Sequence, residues 1–157
     1  MAARQHHYRV TVRWTGNRGG GTSSYKAYGR DGELQAEGRE PIALSADPAF
    51  RGDNSRWNPE QLLLASVSAC HKLWYLHLCA DAGIVVEEYQ DEAEGTMAEG
   101  VKGHFTGIIL KPRIRLQNDQ DRDRAAQLHH AAHDACFIAN SVNFPVGCQP
   151  EFVASGR

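Results

Sequence analysis

Four cysteines, a helix-opening carboxylate and a scatter of histidines are the residues of this chain with chemistry to offer. Cys70 ends the segment NPEQLLLASVSAC, residues 58–70, which also carries Glu60. A cysteine reacts as its thiolate, and a helix environment with a nearby cation lowers the thiol pKa. The ordinary alternative for such a residue is a buried, inert core thiol. Glu60 and Cys70 lie ten residues apart, which on one helix means roughly 80° around the axis and about 15 Å along it. A straight helix therefore cannot place the carboxylate on the sulfur, and any link between them needs a third group, most simply an arginine. Cys79 follows nine residues later, about 180° round the helix, so it cannot bridge to Cys70 and reads as core packing. Cys136 ends a second helix beside its apolar stripe and can meet Cys70 if the helices pack. Cys148, in the closing loop, is uninformative by position.

The histidines suggest a different chemistry. His129, His133 and Cys136 stand at i, i+4 and i+7, within about 60° of one helix face, and could be three zinc ligands with Cys70 as a fourth. The HHAAH run that holds His130 is equally compatible with a partly exposed helix face. His71 adjoins Cys70, but neighbouring helix residues point about 100° apart, so it reads as a packing or interface histidine rather than a base. The row Lys111, Arg113, Arg115 reads as a solvated strand face.

These groups are positioned by a recognisable order of elements. In YRVTVRWT, Tyr8, Val10, Val12 and Trp14 alternate with polar residues, the pattern of a half-buried strand. GNRGGG is a turn, TSSYKAY a partner strand, and residues 39–57 mostly loop. The clearest helix opens at Asn58, an N-cap, with Pro59 at the first helical position and Glu60 where the dipole favours a carboxylate. It is apolar on nearly every side, as in helices buried centrally or between subunits, and Gly83 stops it. IVVEEYQDEAEG and FTGIILKPRIRL are strands, and Pro112 suggests an edge position or a bulge. A second helix starts near Asn118 or Asp119 with Ala125, Leu128, Ala132 and Ala135 at helical spacing, and a closing strand spans Glu151 to Ala154. The order predicts an α+β fold in a single domain, 1–157.

A formal net charge of −2 gives no electrostatic reason for nucleic acid or an anionic membrane as partner. The start of the chain lacks a signal-peptide pattern, and the long helix is interrupted by Lys72, His71, His77 and serines. No two cysteines form a CxxC pair, so free, catalytic or metal-binding thiols are expected rather than a disulfide framework, in the cytoplasm.

Three segments together resemble the OsmC/Ohr family of thiol peroxidases: WTGNRGGGT, NPEQLLLASVSAC and AHDACFIANSVNFPV. The likeness spans nearly the whole chain, and the second segment is the most specific. Phe137 follows Cys136 where the family often has proline. The resemblance implies an OsmC-like fold of two antiparallel sheet segments around a long central helix and a shorter one, in an intertwined homodimer. It implies a peroxidase acting on organic hydroperoxides, and on hydrogen peroxide as a further substrate. Cys70 would become a sulfenic acid, and Cys136 would condense with it to a disulfide recycled by an external dithiol such as a lipoyl-protein. Arg18, or in its place Arg51 or Arg56, would stabilise the thiolate, with Glu60 holding that arginine. No cofactor or resident metal is implied.

Overall fold

The structure is a computed structural model that describes residues 2–155; the outermost positions of the expected 1–157 domain lie outside the described residues. The chain divides into two compact units, Met1–Leu62 and Leu63–Arg157.

The first unit is built on a three-stranded antiparallel sheet of β1 (Thr11–Trp14), β2 (Gly32–Gln35) and β3 (Ile42–Leu44), in which Thr11 pairs with Gln35 and Gly32 with Leu44. TSSYKAY is not the partner strand. Arg30 stacks its guanidinium over the Tyr25 and Tyr28 rings, 4.4 and 4.1 Å from their centroids, and donates to both of their carbonyls at 2.6 Å. That coils residues 22–28 into turns and passes the pairing to β2. The glycine turn is closed by Asn17, whose Oδ1 accepts from the N–H groups of Gly19 and Gly21 at 2.9 and 3.0 Å. At its base Gly16 and Gly29 bond backbone to backbone, so closely that a Cβ on Gly16 would stand 2.0 Å from the Gly29 carbonyl oxygen. The apolar row of β1 is not half-buried as its alternation suggested: Val12 and Trp14 are exposed, because the unit places no second layer over it.

Helix α1 (Pro59–Asp81) opens in this unit and runs on through the second. Its start is a reciprocal cap: the Gln61 N–H donates to Asn58 Oδ1 at 2.8 Å, and the Asn58 N–H donates to Gln61 Oε1 at 3.1 Å. At its end Gly83 takes φ +72° and the Ile84 N–H reaches back to the Cys79 carbonyl, the glycine stop that the sequence predicts.

In the second unit β4 (Val86–Asp91), β7 (Pro112–Leu116) and β9 (Glu151–Val153) form one sheet, and β5 (Glu94–Ala98), β6 (His104–Leu110) and β8 (Val146–Cys148) another. The two are halves of one bent ribbon, since β4 leads into β5, β6 into β7 and β8 into β9. The β4–β7 and β5–β6 pairs are antiparallel, whereas β8 and β9 join in parallel. Pro112 is not at an edge. It is the buried first residue of the central strand β7, where the ribbon bends and the missing N–H is tolerated. Ile108, Leu110, Ile114 and Leu116 fill the core against α1 and α2 (Arg122–Ala135). The outward row is matched by acids: Lys111 pairs with Glu94 at 2.6 Å and Arg115 with Glu87 at 3.4 Å.

Helix α1 is less enclosed than its composition suggested. Val67, His71, Tyr75 and Cys79, each four residues apart, form its buried stripe, while Leu73 on another face is 62% exposed. Among the described residues no helix is long and apolar enough to cross a membrane.

Candidate active site

Helix α1 delivers Cys70 three turns from its start, half-buried, and α2 delivers Cys136 at its C-terminal cap, fully buried. Both thiols are free, and the Cys70 side chain lies against that of Cys136. Burial first, then the contact with Cys70, pushes the Cys136 thiol above its ordinary pKa, opposed by the Ala139 N–H that donates to its sulfur at 3.5 Å. Cys136 is therefore kept protonated and shielded, while Cys70 is the sulfur that opens outward. It opens into a pocket of about 300 Å³ lined by Leu73, Trp74, His77 and Phe137. Trp74 and Phe137 meet edge to face at 5.6 Å, giving that wall a fixed aromatic corner. Phe137, the residue standing where the resembling family often has proline, is 68% exposed and forms part of the pocket.

Arg18 sits exposed in the Asn17 turn, and Glu60 is half-buried in the first turn of α1. Among the described residues neither forms an ion pair, with the other or with a third group. Arg56 is already committed, with Asp31 at 3.8 Å and Asp53 at 3.7 Å. Arg51 is exposed in a left-handed conformation, φ +66°, at the end of a single-turn helix.

The alternative zinc set of His129, His133 and Cys136 with Cys70 does not assemble. His129 faces α1, whereas His133 is only half-buried and Cys136 is turned to Cys70. The metal-like grouping among the described residues is instead His71, His129 and Cys148, with ligand atoms all within 4.8 Å of one another. His71 Nε2 and His129 Nδ1 share a hydrogen bond of 3.0 Å, and Cys148 Sγ stands 3.9 and 3.6 Å from those nitrogens. His129 lies edge to edge with His71, the two rings nearly coplanar with centroids 5.3 Å apart, and stacks its face on the Tyr75 ring at 3.9 Å. Burial lowers the pKa of both histidines, that of His129 to about 3 with help from His71, so both rings are neutral. Burial, aided by Asp91, pushes the Cys148 thiol up to about 12. The sequence reading missed this group, giving His71 to packing and nothing to Cys148. A signal was present: His71 continues the four-residue rhythm of Val67, Tyr75 and Cys79, and His129 lies between the buried Ala125 and Ala132.

Comparison with known proteins places these features in a wider group. Residues 52–151 match the family model described as OsmC-like protein. The uncharacterized protein YmaD of Bacillus subtilis is 26% identical over 151 residues, covering 93% of each chain. A solved OsmC-like protein of unknown function from Vibrio cholerae is similar with a TM-score of 0.84 and 26% identity, across 94% of this chain and 100% of that one. The organic hydroperoxide resistance protein OhrB of Bacillus subtilis shares the fold, with a TM-score of 0.63 at 22% identity, across 92% and 96% of the two chains.

Proposed function

The chain belongs to the OsmC-like proteins of the OsmC/Ohr family, and from that premise we propose that it is a cysteine-based thiol peroxidase acting on organic hydroperoxides. The observation that carries the reading is the pair of free thiols, one opening on an apolar pocket and the other buried against it. The Cys70 thiolate attacks the terminal peroxide oxygen. The O–O bond breaks, the alcohol leaves with a proton, and Cys70 becomes a sulfenic acid. The Cys136 thiol then condenses with it, forming the disulfide and releasing water. An external dithiol restores both thiols by exchange and leaves as its own disulfide. The raised pKa of Cys136 suits the resolving role, since a protonated thiol does not compete for peroxide. The apolar lining favours an alkyl-bearing peroxide over hydrogen peroxide.

In this reading Arg18 supplies the cation that favours the Cys70 thiolate, and Glu60 holds Arg18 by a charge-assisted bond. Their lack of ion-pair partners among the described residues leaves both charges available. A homodimer belongs to the same proposal, supported by the exposed Leu73 and Phe137 beside the pocket. A cytoplasmic setting belongs to it too, where thiols stay reduced.

Turnover of an organic hydroperoxide in the presence of dihydrolipoamide, with thioredoxin as rival reductant, tests the proposal. Wild type should consume peroxide and Cys70→Ser should not. Absence of turnover in wild type, with Cys70 left unoxidised by peroxide, would sink it.

A further inference from the structure

We propose that His71 Nε2, His129 Nδ1 and Cys148 Sγ form a binding site for a divalent zinc-class cation, separate from the Cys70–Cys136 pair. The three side chains come from α1, α2 and β8 and converge inside the second unit. Tetrahedral zinc with Zn–N of about 2.05 Å and Zn–S of about 2.3 Å sets nitrogens about 3.3 Å apart and nitrogen from sulfur about 3.6 Å. The observed separations are 3.0 Å between the nitrogens and 3.6 and 3.9 Å to the sulfur. The separations differ from these by at most about 0.3 Å, and since the two rings now point at each other, each must also swing by about 35° to turn its nitrogen lone pair onto the metal. Two imidazoles and a thiolate form a borderline-soft donor set that selects zinc over magnesium or calcium.

The surroundings fit a cation better than a plain core. His71 and His129 are 1% and 4% exposed, so two polar rings are committed to an interior that offers them little besides each other. The Tyr89 hydroxyl and His129 Nε2 are buried without hydrogen-bond partners. Buried polar atoms are normally satisfied, and an orphaned group of this kind points to a missing ion or water. Asp91, held by Ser68 Oγ at 2.5 Å and by the Lys111 N–H at 2.7 Å, acts electrostatically on both His71 and Cys148. A fixed carboxylate stabilises a cation beside it. Cys148 is only half-buried, which leaves an approach to the site.

On binding, the Cys148 S–H bond breaks, its proton goes to solvent and the sulfur donates to the metal. The hydrogen shared by His71 and His129 moves to the free nitrogen of one ring, so each ring presents a lone pair. Three protein ligands leave the fourth position to water. The bound ion ties α1, α2 and β8 together, and its presence should raise thermal stability.

The test uses untagged, reduced and chelator-stripped protein titrated with Co2+, whose thiolate ligation gives a near-ultraviolet charge-transfer band. One equivalent should saturate the band in wild type and equally in Cys70→Ser/Cys136→Ser, and Zn2+ should displace it and raise Tm. Cys148→Ser should abolish the band, and His129→Ala should weaken Co2+ binding at least tenfold. Mass spectrometry of alkylated wild type gives a readout that depends on no variant: Zn2+ should protect Cys148 and leave Cys70 reactive. A missing band, a band that survives Cys148→Ser, one lost in Cys70→Ser/Cys136→Ser, or unprotected Cys148 would each overturn the site. None of these readouts depends on peroxide turnover, so this proposal and the peroxidase reading can fail separately.

Discussion

The buried histidine pair makes stability depend on pH in a direction that can be worked out. His129 titrates near 6.5 when unfolded and at about 3 when folded, because burial and the neighbouring His71 disfavour its cation. Above pH 6.5 the ring is neutral in both states and contributes no pH dependence. Below that value the unfolded chain takes up a proton that the folded chain refuses, so unfolding becomes easier as pH falls, until about pH 3. The slope is ~1.4 kcal/mol per pH unit for one such group. Between pH 7 and pH 5 this amounts to about 2 kcal/mol for His129, a large share of a typical domain's stability. His71, shifted in the same direction by burial, adds to the loss. Urea unfolding at both pH values, with chelator and reductant present, measures it. Carboxylates titrate in the same window, so the comparison is with His129→Leu, which keeps them all. Wild type should lose about 2 kcal/mol more than the variant on going from pH 7 to pH 5. Equal losses in the two proteins would refute a neutral, buried His129, whatever their stabilities at pH 7.

Three further outcomes follow from named contacts. Cys136→Ser should stop after the first half-reaction, with a dimedone adduct trapped at Cys70 and no intramolecular disulfide; a Cys70–Cys79 or Cys70–Cys148 bridge in oxidised wild type would instead reassign the resolving sulfur. Phe137→Ala removes the aromatic partner of Trp74 from the pocket wall. It should raise KM for an alkyl hydroperoxide by about tenfold, the worth of roughly 1.4 kcal/mol of apolar contact, and leave KM for hydrogen peroxide nearly unchanged. Asn58→Ala removes the Oδ1 that accepts from the Gln61 N–H at the start of α1, leaving only the backbone half of the reciprocal cap. It should cost about 1–2 kcal/mol and lower Tm by roughly 3–8 °C, measured by calorimetry.

What the sequence determines by itself is mostly local. The bounds of α1 are written in Asn58, Pro59, Gln61 and Gly83, because a helix end is satisfied by groups within about four residues of it. Strand alternation from Phe105 to Leu116 identified a row that is in fact buried, because period two is a property of the backbone. The candidate status of Cys70 and Cys136 was also legible, since each sits at a readable place on a helix. The side that each apolar row buries was not. Tyr8 and Val10 alternate correctly and yet face outward, because burial needs a second layer that no local pattern supplies. Nor could spacing choose β2 over residues 22–28 as the partner of β1, a choice made by Arg30 and two tyrosine rings. The histidine–cysteine cluster is the clearest case. His71 meets His129 across 58 residues of chain and Cys148 across 77. Only the packing of α1, α2 and β8 brings these groups together, and sequence spacing contains no measure of that distance.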